Sequence, residues 1–552
     1  LLCKGVVFLK VVVIGGVAAG TKVAAKLKRE NREIDVVLYN KGNNISYAGC
    51  GLPYYVGNVI EHKEELIVNT PEKYSNLTGV TVFNGYEVVS VDKDNKTVKV
   101  VNLADGSEFE DSYDKLVIST GASPIKPPVE GLDLENVYFM RTPEDAITLR
   151  DNIDANEIKR AVVVGGGFIG LEIAENLNAK GIRTVVLDMA PHVLPGFDDE
   201  MCNFVEAHLA DKGIMCMTGT RLEAILGADG KVSKVKTDRR AIKADLVVMS
   251  VGIRPNTAFV KDLGFDMARN GAIIVDDHMQ TNIPDIYAAG DCVIVKNCIT
   301  GADAYSPMGS SANIEGRILA KNLAGKDLSY RGVLGTAVCH LPDLNTGRTG
   351  LSEANAKDMG FDPISVVTVV DDKAHYYPGS SSFFIKMVAD KTTHKFLGIQ
   401  VLGKGAVDKV VDVAAVALTL NAKIDDLVDM DLAYAPPFST AIHPFVTTLN
   451  VLFNKLNGEY ETFTPAEYAN GAAEGYRVID TCLVPTIKTA PYVDLTKVNG
   501  PIDGYGLDEK LLLICNKGKR AYLLQNRMKF YGYTNTRVLE GGTLFNDVEG
   551  VE

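Results

Sequence analysis

The fold is decided by Val11-Val-Val-Ile-Gly-Gly-Val-Ala-Ala-Gly20, an apolar run that leads directly into a glycine-rich turn. A helical pattern, TKVAAKLKRE, follows, and then a second apolar run, IDVVLYN, which ends at Asn40. A strand, a glycine turn and a helix in this order are typical of a dinucleotide-binding unit, because glycines let a pyrophosphate approach the positive end of the helix. The stretch therefore predicts a Rossmann-like domain with Gly15, Gly16 and Gly20 beside a bound nucleotide.

A second copy of the pattern begins at Ala161 and reads AVVVGGGFIG. Here the motif is complete, with Gly165, Gly167 and Gly170, and a helical LEIAENLNAKG and a strand TVVLD follow. The strand ends at Asp188, where an acidic side chain accepts hydrogen bonds from ribose hydroxyls and repels a 2′-phosphate. The second unit is therefore predicted to bind NADH in preference to NADPH.

The first unit departs from the motif, because Val17 occupies the middle glycine position and Asn40 stands where an acidic residue is expected. An asparagine still hydrogen-bonds a ribose hydroxyl without the charge. Further along, the pattern TNIPDIYAAGD ends a strand at Asp291, which would place a carboxylate against the ribityl chain of a flavin. The alternative for Asp291 is a helix cap or turn residue. Together with the two glycine turns, this segment predicts FAD in the first unit.

Composition limits the other functions of this 552-residue chain, which at about 100–200 residues per domain should hold about three to five domains. A formal charge of −13 argues against nucleic-acid binding, because a phosphate backbone needs a surface rich in lysine and arginine. No apolar run reaches the roughly 18–20 residues that span a bilayer, and the opening LLCKGVVFLK is interpreted as part of a first buried strand rather than a signal peptide. We expect no membrane association and a cytoplasmic location.

Nine cysteines are scattered along the chain, at positions 3, 50, 202, 216, 292, 298, 339, 482 and 515. None has the paired spacing of a zinc site, so no metal is expected and free thiols are predicted.

Taken together, the motifs resemble those of the FAD- and NAD(P)-dependent pyridine nucleotide-disulfide oxidoreductases. Ser119-Thr120-Gly121-Ala and Gly252-Ile-Arg-Pro-Asn256 match the segments that cross between the two nucleotide domains of that family. The resemblance implies an α/β fold with two Rossmann-like domains, an α+β dimerisation domain, a homodimer, and a small α/β domain at the C-terminus. The implied boundaries are an FAD domain split between 1–155 and 245–328, an NAD(H) domain at 156–244, a dimerisation domain at 329–456, a linker at 457–473, and a last domain at 474–552.

Within the family, the chain resembles coenzyme A-disulfide reductases and NADH-dependent persulfide reductases, on the stretch Ser46-Tyr-Ala-Gly-Cys50-Gly-Leu-Pro-Tyr-Tyr55. The stretch holds one cysteine, and a single thiol stores oxidation as a mixed disulfide, a persulfide or a sulfenic acid. If a helix begins at Cys50, its N-terminus would lower the thiol pKa from about 8.5 to about 3.5–7.5. The alternative is an inert buried cysteine, which is the interpretation given to positions 3, 202, 216, 292, 298 and 339.

Three further groups follow from the resemblance. Tyr377 and Tyr434 would reach across the dimer toward the redox cysteine and donate a proton to the leaving sulfur, with Tyr376 as the alternative to Tyr377; both could instead pack in a dimer core. The lysines Lys22 and Lys26 lie at i, i+4 and would bind coenzyme A phosphates, or form a solvated face. Ser46 is a further candidate for substrate contact.

The C-terminal segment resembles a rhodanese-type sulfurtransferase domain, in which LLLI leads to Cys515 and a short loop closes at Arg520. Backbone N–H groups and the cations at Lys517, Lys519 and Arg520 would stabilise a thiolate or persulfide there. The segment LVPTIKTAPYVDLTKVNGPIDGYG lacks the expected helical pattern, so a degenerate domain used for docking is the alternative.

The implied mechanism runs from NADH through FAD to Cys50, which reduces a small-molecule disulfide or persulfide, with coenzyme A as substrate or ligand. Two rival functions remain: an NADH oxidase or peroxidase that cycles through a sulfenic acid, and a sulfur-carrier or redox-sensing flavoprotein.

Overall fold

The computed structural model describes residues 9–551, so Cys3 lies outside the described residues. The strands are β1 Lys10–Ile14, β2 Asp35–Asn40, β3 Thr81–Asn84, β4 Tyr86–Asp92, β5 Thr97–Asn102, β6 Glu108–Ser112, β7 Lys115–Ile118, β8 Ala122–Pro124, β9 Val137–Phe139, β10 Arg160–Val164, β11 Arg183–Leu187, β12 Ile214–Met217, β13 Leu222–Ala228, β14 Lys231–Thr237, β15 Ala241–Lys243, β16 Leu246–Met249, β17 Ile253–Pro255, β18 Ile273–Ile274, β19 Ile286–Ala288, β20 Val293–Lys296, β21 Asp303–Ala304, β22 Ala337–Leu341, β23 Leu344–Gly350, β24 Pro363–Asp371, β25 Ser382–Asp390, β26 Phe396–Gly403, β27 Thr462–Phe463, β28 Arg477–Asp480, β29 Leu511–Ile514 and β30 Thr536–Leu539. The α-helices are α1 Ala18–Glu30, α2 Leu52–Val56, α3 Pro71–Thr78, α4 Pro143–Ala155, α5 Phe168–Ala179, α6 Asp199–Asp211, α7 Gly309–Leu323, α8 Glu353–Asp358, α9 Val407–Thr419, α10 Pro444–Leu456, α11 Pro465–Ala469, α12 Lys519–Phe530 and α13 Gly542–Phe545. Among the described helices, none is long and apolar enough to cross a membrane.

The two predicted Rossmann-like sheets are confirmed. The first has the order β19-β7-β1-β2-β3 and the second β12-β11-β10-β16-β9, and the pairings within both are parallel. Val11, Val12 and Val13 of β1 are fully buried, as the uninterrupted apolar run predicts for a parallel strand covered on both faces. The two predicted crossover segments pair with each other, since β8 is antiparallel to β17.

The chain divides into two compact units, one formed by residues up to 193 with 213–333, and one by 194–212 with the residues from 334 onward. This division differs from the predicted domain limits at two places. Strand β9 pairs with β16 in the second sheet, although it lies inside the predicted 1–155 segment. Helix α6 belongs to the second unit, although it lies inside the predicted 156–244 domain.

A buried ionic cluster holds α6 in the second unit. Lys386 of β25 is 2% exposed and its ammonium pairs with Asp198, Glu200 and Glu353, at 3.1, 2.5 and 2.7 Å. Gln400 donates a hydrogen bond of 2.6 Å to Asp198. Because Asp198 and Glu200 lie some 150–200 positions before the other members of the cluster, no local sequence pattern indicates this association.

The remainder of the second unit contains two sheets. The antiparallel sheet β22-β23-β26-β25-β24 is flanked by α9 and α10, which agrees with an α+β dimerisation domain. The C-terminal sheet, β27-β30-β29-β28, is parallel. Strand β27 and helix α11 lie inside the predicted linker 457–473, so much of that stretch is part of the C-terminal domain.

Candidate active site

The first glycine turn is built for close packing. Gly15 has φ +105°, and a Cβ there would lie 2.2 Å from the Ser119 carbonyl oxygen. A Cβ on Gly20 would lie 1.8 Å from the Gly15 carbonyl oxygen, so only glycine lets α1 approach the turn. In the two crossover segments, Gly121 and Gly252 also have positive φ. The segments are joined by a hydrogen bond of 2.8 Å, which the Thr120 hydroxyl donates to the Asn256 carbonyl.

The second glycine turn leaves room for a ligand. A Cβ on Gly165 or Gly170 would collide with backbone at 2.2 or 2.0 Å, whereas a Cβ on Gly167 would meet nothing within 4 Å. Asp188 lies against this turn, where its carboxylate accepts N–H bonds from Gly166 at 2.6 Å and Ala190 at 2.8 Å. An open glycine beside a fixed carboxylate fits the pyrophosphate and ribose of a dinucleotide.

Asn40 is held by the chain itself. Its Oδ1 accepts the Gly16 N–H at 3.2 Å, and its Nδ2 donates to the Gly42 carbonyl at 2.9 Å and to Asn84 at 2.7 Å. The side chain is 6% exposed. These bonds show that Asn40 fixes the loop next to the first glycine turn, a role that the sequence pattern did not indicate.

Asp291 belongs to a charged group at the end of β19. Its carboxylate pairs with the Arg141 guanidinium at 2.7 Å. Next to it, the Gly290 N–H donates to buried Glu315 at 2.7 Å. Burial, opposed by that hydrogen bond and assisted by Asp291, raises the pKa of Glu315 to about 7. The predicted flavin carboxylate is thus paired with Arg141, and a second, buried carboxyl, that of Glu315, lies near it.

Cys50 lies in a short 3₁₀ turn, Gly49–Gly51, that precedes the five-residue helix α2. The residue is exposed and its thiol is free. Desolvation of the thiol raises its pKa, the charges of Glu172 and Asp291 raise it further, and Arg141 opposes them. The prediction that the pKa of Cys50 is lowered is therefore wrong, because burial of the thiol, together with the charges of Glu172 and Asp291, raises it.

Glu172 acts on Cys50 through its charge and lies in the helix that follows the second glycine turn. It lies on α5, and its carboxylate accepts a hydrogen bond of 3.0 Å from the Tyr54 hydroxyl. Neither Glu172 nor Arg141 was predicted from the sequence, although an acidic residue two positions after Gly170 is a visible signal.

The predicted substrate residues occupy three settings. Ser46 has φ +49°, an uncommon conformation for a residue other than glycine, and accepts a hydrogen bond of 3.3 Å from Asn69. Lys22 and Lys26 are half-buried on α1, and Lys26 pairs with Glu30. Lys26 is thus engaged by its own helix.

The predicted tyrosines lie in the second unit. Tyr377 and Tyr434 are 38% and 46% exposed. A hydrogen bond with Tyr376 raises the pKa of Tyr434, so the structure brings Tyr376 rather than Tyr377 together with Tyr434.

Cys515 follows β29 and is 2% exposed. The Ala521 N–H, in the first turn of α12, donates to its sulfur at 3.4 Å. The predicted cations point elsewhere, since Lys517 pairs with Asp371 at 2.6 Å, Arg520 donates to the Thr481 carbonyl at 2.9 Å, and Lys519 is exposed. The prediction that these cations surround the Cys515 sulfur is therefore corrected: the sulfur contacts a backbone N–H.

Comparison with known proteins agrees with this geometry. A family model described as pyridine nucleotide-disulphide oxidoreductase matches residues 9–311, and the model of the dimerisation domain matches residues 336–445. The chain belongs to the pyridine nucleotide-disulphide oxidoreductases. As a member of this family it is an oxidoreductase that uses FAD and NAD(P)H, and the glycine turns, Asp188 and Asp291 fit those two nucleotides.

Its relatives in the family have several names. It is 35% identical to an NADH oxidase of Methanocaldococcus jannaschii, over 82% of this chain and 100% of that protein. It is 34% identical to an NAD(P)H coenzyme A polysulfide/persulfide reductase of Pyrococcus horikoshii, over 80% of this chain and 98% of that one. The structure of reduced Bacillus anthracis CoADR-RHD is similar with a TM-score of 0.93 and 32% identity, covering 98% of this chain and 97% of that one. The Pyrococcus horikoshii and Bacillus anthracis relatives support membership in the group of coenzyme A-disulfide and persulfide reductases.

Proposed function

We propose that this oxidoreductase uses NADH to reduce disulfides or persulfides of coenzyme A, with Cys50 as the thiol that attacks sulfur. The observation that carries the proposal is that Cys50 is exposed and free, while the next cysteine in the chain is Cys202. A thiol without a second cysteine in its segment exchanges with a small molecule rather than forming a local disulfide. The name of the Pyrococcus horikoshii relative supports coenzyme A persulfides as the substrate class.

FAD, when bound, supplies two-electron transfer between the nicotinamide and sulfur. The Cys50 thiolate attacks one sulfur of the substrate, forms a mixed disulfide and releases a thiolate. Burial of the thiol and the charges of Glu172 and Asp291 favour the thiol of Cys50, whereas Arg141 favours the thiolate, so together they set the pH at which attack begins.

A homodimer completes this proposal. Tyr377 or Tyr376, together with Tyr434, would donate a proton to the leaving sulfur at Cys50 of the other subunit. The match to the dimerisation-domain model and the partial exposure of these tyrosines support the arrangement.

The C-terminal domain would act on sulfane sulfur. In this proposal it is a rhodanese-like domain in which Cys515 accepts one sulfur atom and the Ala521 N–H stabilises the product. The likeness to CoADR-RHD, which extends over 98% of this chain, supports it.

A second candidate function is NADH oxidase, which the name of the Methanocaldococcus jannaschii relative favours. In that function Cys50 would be oxidised to a sulfenic acid by oxygen or peroxide chemistry instead of meeting a disulfide.

The test compares acceptors on one preparation of FAD-loaded protein. NADH oxidation is measured anaerobically with coenzyme A disulfide and with coenzyme A persulfide, and separately in air-saturated buffer without either. We expect kcat/KM for the coenzyme A acceptors to exceed that for oxygen at least about 100-fold, a difference of about 2.7 kcal/mol in transition-state stabilisation. Oxygen turnover equal to the disulfide turnover would favour the oxidase instead.

A further inference from the structure

Glu315 is a buried carboxyl group that the proposed sulfur chemistry does not use. It lies on α7 and is 1% exposed. Among the described residues, the Gly290 N–H supplies its only hydrogen bond, of 2.7 Å to Oε2. Burial raises the pKa of Glu315 to about 7, against the effect of that hydrogen bond. Because a buried carboxyl group with a single partner is costly, packing alone does not explain an ionisable side chain at this position.

Gly290 belongs to the turn that ends β19 and carries Asp291. Its φ is +88°, and a Cβ there would lie 2.9 Å from the Cβ of Ala19, so the turn packs closely against α1. The hydrogen bond from this glycine to Glu315 therefore fixes the backbone on the amino side of Asp291.

Two further contacts fix Asp291 itself. The Tyr305 hydroxyl donates to its backbone carbonyl at 2.9 Å, and the Arg141 guanidinium pairs with its carboxylate at 2.7 Å. Three separate segments of the chain thus hold the turn, one at the preceding N–H, one at the carbonyl and one at the carboxylate. Such fixation suits a carboxylate that must meet a ligand at a set position, because hydrogen bonds weaken steeply when their geometry is disturbed.

Helix α7 also packs against α1, the helix of the first glycine turn. A Cβ on Gly316 would lie 2.9 Å from the Ala19 carbonyl oxygen and 3.1 Å from the Cβ of Lys22, so the glycine permits this close approach. The N-terminus of α1 is predicted to face the pyrophosphate of FAD. Glu315 and Gly316 thus connect α7 to both parts of the predicted FAD site, the start of α1 and the Asp291 turn.

We propose that Glu315 is a positioning residue for FAD. Its carboxyl oxygen accepts the Gly290 N–H and so holds Asp291 where its carboxylate meets the ribityl chain. The role requires a hydrogen-bond acceptor at this point but no charge, since an amide oxygen accepts the same N–H. The inference rests on the predicted contact between Asp291 and FAD, and it is independent of the sulfur chemistry proposed for Cys50.

The test compares two side chains of similar length that differ in the acceptor. Glu315→Gln keeps an oxygen that accepts the Gly290 N–H, whereas Glu315→Met removes it. Glu315→Leu is a second variant without the acceptor and serves if the methionine variant does not fold. The rate of FAD release from the holoenzyme after dilution is measured by flavin fluorescence, and circular dichroism verifies that each variant is folded.

Three controls separate positioning from general destabilisation. Leu323→Ala removes apolar packing at the last residue of α7, where the side chain is 9% exposed, and leaves Glu315 unchanged. Asp291→Asn tests the premise that the Asp291 carboxylate contacts FAD. The affinity of each variant for NAD⁺, which does not reduce the flavin, reports on the second glycine turn.

We expect Glu315→Met and Glu315→Leu to release FAD at least about tenfold faster than wild type, because the Gly290 N–H loses its acceptor. Glu315→Gln and Leu323→Ala should stay within about threefold of wild type, and the affinity for NAD⁺ should not change in any variant. Wild-type release from both variants without the acceptor, or equally fast release from Glu315→Gln or Leu323→Ala, overturns the inference. Wild-type release from Asp291→Asn contradicts its premise as well.

Discussion

Cys50 lies exposed among charged side chains, whereas Cys515 is 2% exposed and contacts a backbone N–H at the start of α12. The first thiol can meet a bulky molecule from solution, and the charges of Glu172, Asp291 and Arg141 tune it. The second is enclosed, so in the proposed function it would transfer a single sulfur atom rather than meet a bulky molecule. In the proposed function the same residue type would serve two kinds of sulfur chemistry, and the different exposure of the two thiols would separate them.

The largest expected effect is a difference in activity between the Cys50 and Cys515 variants. Cys50→Ser should lower kcat/KM for coenzyme A disulfide at least about 1000-fold, because it removes the attacking nucleophile. Cys515→Ser should change the same value by less than about twofold, and Cys298→Ser is a control for loss of a partly buried thiol. Steady-state NADH oxidation gives kcat/KM for all three variants. Equal losses in the Cys50 and Cys515 variants would show that both cysteines act in the same reaction.

A second prediction separates the two regions by stability. Glu540 is 0% exposed and accepts bonds from the Val367 N–H at 2.8 Å, Lys455 at 2.7 Å and the Thr462 hydroxyl at 2.6 Å. Glu540→Ala leaves the Lys455 ammonium without its carboxylate, and breaking a buried pair costs about 3–5 kcal/mol. We expect the C-terminal domain to become sensitive to limited proteolysis while NADH oxidation with coenzyme A disulfide persists. Exposed Glu459→Ala is the control, and a resistant Glu540→Ala would show that other contacts dominate.

The features that depend only on neighbouring residues along the chain could be predicted from the sequence. The glycine turns, the strands that flank them and the position of Cys515 after β29 follow from local apolar runs and glycine spacing. The linker was misjudged, because the two-residue strand β27 is too short to give a period and becomes a strand only by pairing with β30.

The charges around Cys50 could not be predicted from the sequence for a related reason. Arg141, Glu172 and Asp291 lie some 90–240 positions from Cys50, and their distances from its sulfur depend on the folded sheets. A local helix N-terminus was the only pKa cause visible in the sequence, whereas burial of the thiol and the charges of Glu172 and Asp291 raise the pKa of Cys50 in the folded protein.

A third prediction tests the charges at Cys50 by pH. The thiolate is the reactive form, so activity rises with pH through the thiol pKa, which lies above its usual value. Glu172→Gln removes a charge that raises the pKa of Cys50, so the rising limb should move to lower pH by about 0.5–1 unit. Arg141→Met removes the opposing charge and should move it to higher pH by a similar amount. The control Glu157→Gln lies on the surface, and kcat/KM against pH should be unchanged there. Shifts in the same direction for both variants would contradict the charge assignment.

The smallest effect concerns the lysines of α1 and decides whether they touch substrate. The Lys26 ammonium is already paired with Glu30, whereas Lys22 forms no ion pair with another described residue. If Lys22 binds a phosphate of coenzyme A, Lys22→Gln should raise KM for coenzyme A disulfide up to about fivefold, since exposed ion pairs contribute about 0.2–1 kcal/mol. Lys26→Gln should have a smaller effect, and KM for cystine, which has no phosphate, should not change in either variant. Equal changes with both substrates would indicate that α1 is perturbed, and no change with either would leave Lys22 as part of a solvated face.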